Sequence, residues 1–209
     1  MSESSTRPVP TTPLAALEPV MLTGERVRLE PLAEEHADGL RAAVADGEIW
    51  RLPYAPHIPA PAEVDASVAS LRGDVDAGRR LAWAVVRPAD GRVLGLTTFM
   101  NLALADRGLE IGNTYLAASA HRTGVNAEMK LLLLTHAFDT LGCLRVEFRV
   151  HHLNHASRRA VERLGAQQEG ILRAHRILPD GTVRHTVVYS ILAGEWPGVR
   201  AALRHRLGG

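Results

Sequence analysis

Residues 121–126, His-Arg-Thr-Gly-Val-Asn, stand directly before the leucine-rich run that reaches Phe138. A strand ending near Leu116, a tight turn at Gly124 and a helix opening near Asn126 would leave unpaired helix amides pointing outward. The partial positive charge of such an end suits a phosphate, and glycine lets an anion approach the backbone. The same residues also suit a plain strand–loop–helix turn capped by Asn126, and local pattern alone favours that turn. The sequence has neither GxxxxGK[ST] nor GxGxxG, which sets aside a P-loop nucleotidase and a dinucleotide fold. His151, His152 and His155 have metal-ligand chemistry, but they straddle a strand-to-helix junction. The i,i+4 spacing of a helical zinc site therefore fails, and no metal is expected.

The elements that must position these residues follow from periodicity. Residues 1–20, rich in Ser, Thr and Pro, read as a flexible arm before a single domain over 21–209. Val27 and Leu29 alternate with charge as in a half-buried strand over 25–32. Helical spacing follows over 33–46, with Leu40, Ala43 and Val44 on one face. The proline-dense segment 48–64 reads as a loop, and Val64, Val68, Leu71 and Val75 mark a helix over 62–77. Strands are expected at 81–86, 92–102 and 109–116, the first two joined at Ala89-Asp90-Gly91. A helix over 126–141, with Ala127, Leu131, Leu134, Phe138 and Leu141 facing the core, ends at Gly142. A strand over 145–151 leads to a helix over 154–164, capped by Asn154. Strands at 167–178 and 183–192 precede a short amphipathic helix from Glu195. Hairpins leading into β-α-β crossovers predict an α/β (mixed α+β) fold: one mixed sheet of about seven strands, about four flanking helices and a C-terminal helix.

Composition narrows the functional classes. The chain of 209 residues is 46% hydrophobic and 22% charged, with formal net charge +1. That balance gives no electrostatic footprint for nucleic acid or an anionic membrane surface. Cys143 is the only cysteine, which excludes an internal disulfide and fits a reducing compartment. No apolar run approaches the roughly 20 residues of a membrane span. The first residues lack a secretory signal pattern, so the expected location is the cytoplasm.

The order of these elements, with the loop at 121–126, resembles the GNAT superfamily of acyl-CoA N-acyltransferases. That family carries Q/R-x-x-G-x-G/A before its central helix; here Gly124 matches, His121 replaces Gln/Arg and Asn126 replaces the small residue. "LEIGNTYL" (109–116) resembles the strand before that loop. "NHASRRAVERLGA" (154–166) resembles a later family segment. "EGILR" (169–173), "LPDG" and "VVYSIL" (187–192) resemble the RimJ/RimL branch, which acetylates protein N-termini.

The resemblance implies an acetyl-CoA-dependent N-acetyltransferase acting on a primary amine, a peptide N-terminus or a small molecule, by direct attack in a ternary complex. It implies that His121, Arg122, Thr123, Gly124, Val125, Asn126 and Ala127 cradle the pyrophosphate of coenzyme A, with Asn154 and Ser157 as further contacts. It places backbone near Tyr115 and Leu116 against pantetheine and the oxyanion. Glu110 stands where many members carry a glutamate acting through water, and burial would raise its pKa into a useful range. His175 is the rival base, its imidazole titrating near neutrality. Ser157 matches a serine that protonates the leaving thiolate in the RimL-like branch, and Val161 stands where other members have tyrosine. By the same register Arg176 replaces a catalytic glutamate of that branch. Trp50, Tyr54 and His57 lie where the family builds its acceptor site; they also suit a packed loop. A homodimer is implied only at the level of the family. The competing class is an acyl-CoA-binding regulatory or interaction module without turnover.

Overall fold

The computed structural model describes residues 12–14 and 17–208, and within them one eight-stranded sheet organises the chain. In chain order the strands are β1 (Leu22–Thr23), β2 (Arg28–Pro31), β3 (Leu81–Val86), β4 (Val93–Ala103), β5 (Gly108–Leu116), β6 (Arg145–His151), β7 (Gln167–Ile177) and β8 (Val183–Leu192). The helices are α1 (Ala37–Ala45), α2 (Val64–Asp76), α3 (Val125–Thr135), α4 (His155–Glu162) and α5 (Trp196–Gly208). Spatial order is β1-β2-β3-β4-β5-β6-β8-β7, and every neighbouring pair is antiparallel except β5 and β6.

Strand β3 is buried along its whole length, which explains its unbroken apolar run. Its alternate residues serve two cores. Leu81, Trp83 and Val85 pack with Met129, Leu133 and Leu134 of α3, while Ala82, Ala84 and Val86 pack with Leu40, Val44, Val68 and Leu71 of α1 and α2. Helices therefore cover both faces, each buried Leu or Met contributing about 1.5–3 kcal/mol. Trp83 meets Phe99 edge-on, ring centres 5.0 Å apart, and its indole N–H donates to the Val20 carbonyl at 2.8 Å. Of the arm expected over 1–20, residues 1–11 and 15–16 lie outside the described residues. Leu14 and Leu17 pack against the core, and the Leu14 N–H donates to the Leu104 carbonyl at 3.0 Å.

The structure corrects three local expectations. The short β1 adds an eighth strand by pairing with β2. Helix α3 opens at Val125, with Gly124 rather than Asn126 at the N-cap position. Gly124 has φ +87°, a conformation that favours glycine, and a Cβ there would crowd the Arg26 side chain at 3.2 Å. The core stripe is Val125, Met129, Leu133, Leu134, Ala137 and Phe138; Ala127, Leu131 and Leu141 are only half-buried. Beyond Thr135 the helix widens into a π turn over His136–Thr140, closed by Leu141 N–H to the His136 carbonyl at 2.9 Å. Asp139 in that turn accepts from the Trp196 indole at 2.9 Å and Arg200 at 2.8 Å, fixing α5.

A candidate acyl-transfer cleft

Strands β5 and β6 pair over only three residues, Gly108↔Arg145, Leu109↔Val146 and Glu110↔Glu147. Beyond Glu110 they part. A bulge causes the divergence on one side: the β4–β5 register shifts between Leu96 and Thr98, where Asn113 takes φ +49°. Strand β6 stays with β8 through His151. On the side away from β4, the edge of β5 from Ile111 to Leu116 thus has no strand partner among the described residues and faces a cleft of about 850 Å³.

Glu110 sits at the point of parting. It is 5% exposed; its Oε2 accepts from the Asn101 Nδ2 at 2.5 Å and lies 3.5 Å from the Arg149 Nε. Burial raises its pKa above the ordinary carboxylate value, opposed by the Asn101 hydrogen bond and by Arg149. His175 lines the same cleft, carried inward by a bulge at which Ala174 takes φ +48°. Its Nδ1 is 3.0 Å from the Thr186 Oγ1, and burial, then Arg176, Arg149 and Arg184, hold its pKa below that of a free imidazole.

At the other end the cleft reaches the start of α3. The first intrahelical bond runs from the Glu128 N–H to the Gly124 carbonyl at 3.0 Å, so the N–H groups of Val125, Asn126 and Ala127 precede it. His121, Arg122 and Asn126 line the cleft. The His121 Nε2 donates to the Leu116 carbonyl at 3.1 Å, tying the turn to the end of β5. Thr123 and Val125 instead line a smaller hollow beside Arg26 and Leu94, and the Thr123 hydroxyl donates to the Ala120 carbonyl at 2.7 Å. Asn154 caps α4, its Oδ1 accepting the Ser157 N–H at 3.0 Å; both residues also line the cleft, as does Val161.

The structure therefore brings Glu110, His175, Ser157, Asn154, Tyr115, Leu116, His121, Arg122, Asn126, Tyr54, His57 and Arg176 to one cleft. Thr123, Gly124, Val125 and Ala127 are not among the residues that line it. Trp50 packs against the core of α1 and α2 with the Arg51 guanidinium 4.6 Å from its ring, outside the cleft lining. The histidines gather differently from the expected trio: His152 stacks on His151 and meets His185 edge-on, both at 4.8 Å. Among the described residues no three His, Cys, Asp or Glu side chains are grouped to hold a metal.

Sequence reasoning missed two buried charges on α3. Glu128 accepts from the backbone N–H groups of Glu25 (3.1 Å), Arg26 (2.6 Å) and Val27 (2.7 Å), locking the β1–β2 turn onto the helix. Lys130, the only lysine of the chain, lines the cleft at 6% exposure. Its Nζ donates to the Thr114 Oγ1 at 3.2 Å and lies 5.8 Å from the centre of the Phe148 ring. Burial brings its pKa down to about 7. The signal was a lysine within the run that also supplies Met129, Leu133 and Leu134 to the core.

Comparison with known proteins bears on the family and the fold. Residues 26–167 match the family model described as an acetyltransferase (GNAT) domain. An uncharacterised N-acetyltransferase of Bacillus subtilis (strain 168), YoaA, is 26% identical over 173 residues, 82% of this chain and 96% of that protein. The crystal structure of a GCN5-related N-acetyltransferase from Brucella melitensis is 33% identical, with a TM-score of 0.81 over 93% of this chain and 88% of that one. Mycobacterium smegmatis RimJ, solved in complex with CoA-disulfide, shares the fold at 23% identity, with a TM-score of 0.74 over 90% of this chain and 95% of that one. Among the described residues no helix is long and apolar enough to cross a membrane.

Proposed function

The chain belongs to the GNAT acetyltransferase family, and on that premise we propose that it transfers an acetyl group from acetyl-CoA to a primary amine by direct attack in a ternary complex. The observation that carries the reading is the parting of β5 from β6 beyond Glu110, with a helix start at the far end of the same opening. An unpaired strand edge suits an extended amide-bearing arm, and early helix N–H groups suit a diphosphate. The donors fit: Asn126, at a helix start whose first N–H groups make no intrahelical bond, lines the same cleft as His121, Arg122, Arg159 and Arg163.

Acetyl-CoA, when bound, supplies the activated acyl thioester. Glu110, or His175 in its place, accepts the proton of the incoming ammonium so that a neutral amine attacks. A raised pKa matches the carboxylate to that task. Backbone N–H groups about Tyr115 and Leu116 meet the developing oxyanion. Once the carbon–nitrogen bond had formed, the nitrogen would release its second proton and the carbon–sulfur bond would break; Ser157 would pass its hydroxyl proton to the departing thiolate and regain one from the nitrogen. Cys143 has no part in this scheme: it is buried, and burial pushes its thiol up to about 11.

The test is calorimetric titration with acetyl-CoA against free pantetheine, using the natural chain and Gly124→Ala. Saturable binding that needs the diphosphate and weakens about 10-fold or more in the variant supports the cradle. Absence of saturable binding in the natural chain refutes the proposal.

A further inference from the structure

The end of the cleft around Glu110 is lined by four arginines, Arg80, Arg149, Arg176 and Arg184, and by one carboxylate, Glu110 itself. Two of the arginines are neutralised. Arg80 lies 3.3 Å from Asp74, and Arg149 lies 3.1 Å from Glu147 and 3.5 Å from Glu110. The other two have no ion pair among the described residues, and they are direct cross-strand partners, Arg176 on β7 opposite Arg184 on β8. Like charges facing each other across a strand pair are destabilising. The bulge at Ala174 also carries Arg176 to the cleft, so local strain and repulsion coincide at one spot.

Arg184 is anchored there. Its Nε donates to the Thr186 Oγ1 at 3.0 Å and an Nη donates to the Arg149 carbonyl at 3.3 Å, both neutral acceptors. Burial, then the charge of Arg176, disfavours its protonated form, and Glu110 compensates in part. A half-buried guanidinium held by neutral acceptors and facing a second cation is arranged for an anion that the protein does not itself provide.

Resting on the transferase reading above, we propose that Arg176 and Arg184 form an anion pocket for the acceptor, which is a small amine carrying a carboxylate or phosphate group. The pocket holds the anionic oxygens while Glu110 or His175 faces the nitrogen. It thereby sets specificity, excluding polyamines and other purely cationic acceptors by repulsion.

Acceptors in matched pairs test this. Glycine with glycinamide and 4-aminobutyrate with butylamine probe a carboxylate, and O-phosphoethanolamine with ethanolamine probes a phosphate. With acetyl-CoA as donor, the acid of at least one pair should be acetylated with kcat/KM about 10-fold or more above the partner that lacks the anionic group. Whichever pair shows the gap names the anion. Arg176→Gln, at an exposed position, should raise KM for that acid about 10-fold with kcat little changed, closing the gap. Arg173→Gln, on the same strand but outside the cleft lining, should leave it open. Equal rates within every pair, or background rates for every acid while acetyl-CoA still binds, overturn the anion pocket and leave the coenzyme site standing. Loss of acetyl-CoA binding itself refutes the parent reading instead.

Discussion

Replacing Lys130 with methionine removes one ionisable group from the cleft and nearly nothing from its shape. Burial holds the lysine at about 7 against 10.5 for the free side chain. Below pH 7 the folded and unfolded chains both carry the proton, and the folded chain bears the whole burden of a desolvated ammonium. Between 7 and 10.5 the folded chain releases the proton and the unfolded chain keeps it. The unfolded state then binds more protons, so stability rises with pH across that window. The gap of roughly 3.5 pH units, at about 1.4 kcal/mol each, amounts to about 5 kcal/mol. Methionine forfeits the hydrogen bond to Thr114 and the contact with the Phe148 ring, roughly 1 kcal/mol each. Lys130→Met should therefore be the more stable protein by about 3 kcal/mol at pH 6. That advantage should vanish by about pH 9. The assay is urea unfolding at several pH values, followed by the fluorescence of the buried Trp83 and Trp196. Taking the difference between the proteins at each pH cancels groups titrating in both. A difference that changes by less than about 1 kcal/mol between pH 6 and 9 would refute the reasoning, because it would mean an ammonium that keeps its hydration in the fold.

Glu110→Gln should lower kcat by about 100-fold or more while acetyl-CoA affinity stays within about 2-fold, if the carboxylate is the base. Because burial raises its pKa, the rate of the natural enzyme should fall as pH drops through a value above the ordinary 4.5, and the variant should lose that limb; an unchanged limb assigns it to His175. Glu128→Gln replaces a carboxylate that accepts three backbone N–H groups with an amide, and should destabilise the fold by about 2–3 kcal/mol in urea. A loss below about 0.5 kcal/mol would show that the β1–β2 turn does not depend on it.

The sequence disclosed those elements whose apolar period matched one face of the sheet. The strand expected over 145–151 is β6, where alternation agrees with burial, and that expected over 81–86 is β3, whose unbroken apolar run matches burial on both faces. The start of helix α3 is legible to within one residue, but its expected stripe is off-centre: Leu134 and Phe138 are core, while Ala127, Leu131 and Leu141 only flank it. Four consecutive leucines, 131–134, are apolar on every side, so spacing alone could not choose the stripe centred on Met129 and Leu133. The charges hidden in that helix escaped for a related reason: Glu128 is explained by a turn 100 residues earlier, and Lys130 by a strand edge, neither of which is local. The bulges were also silent. Asn101, Asn113 and Ala174 take positive φ without a glycine to announce them, and two of the three help to shape the cleft. The residues converging on Glu110 and Ser157 were legible only as members of an ordered series of elements, since each alone suits an ordinary surface or cap.

Within the sheet, three residue pairs make up the whole ladder between β5 and β6, and so between β1–β5 and the trio of β6, β8 and β7, while one core runs beneath both groups. The sheet is thus two half-sheets sharing a short seam, and the rest of the line between them is left unzipped. A ligand arm lying along β5 would take the place of the missing ladder and act as a removable strand. Its binding would act on mechanics as well as occupancy, adding backbone pairing along a line that the shared core alone now holds.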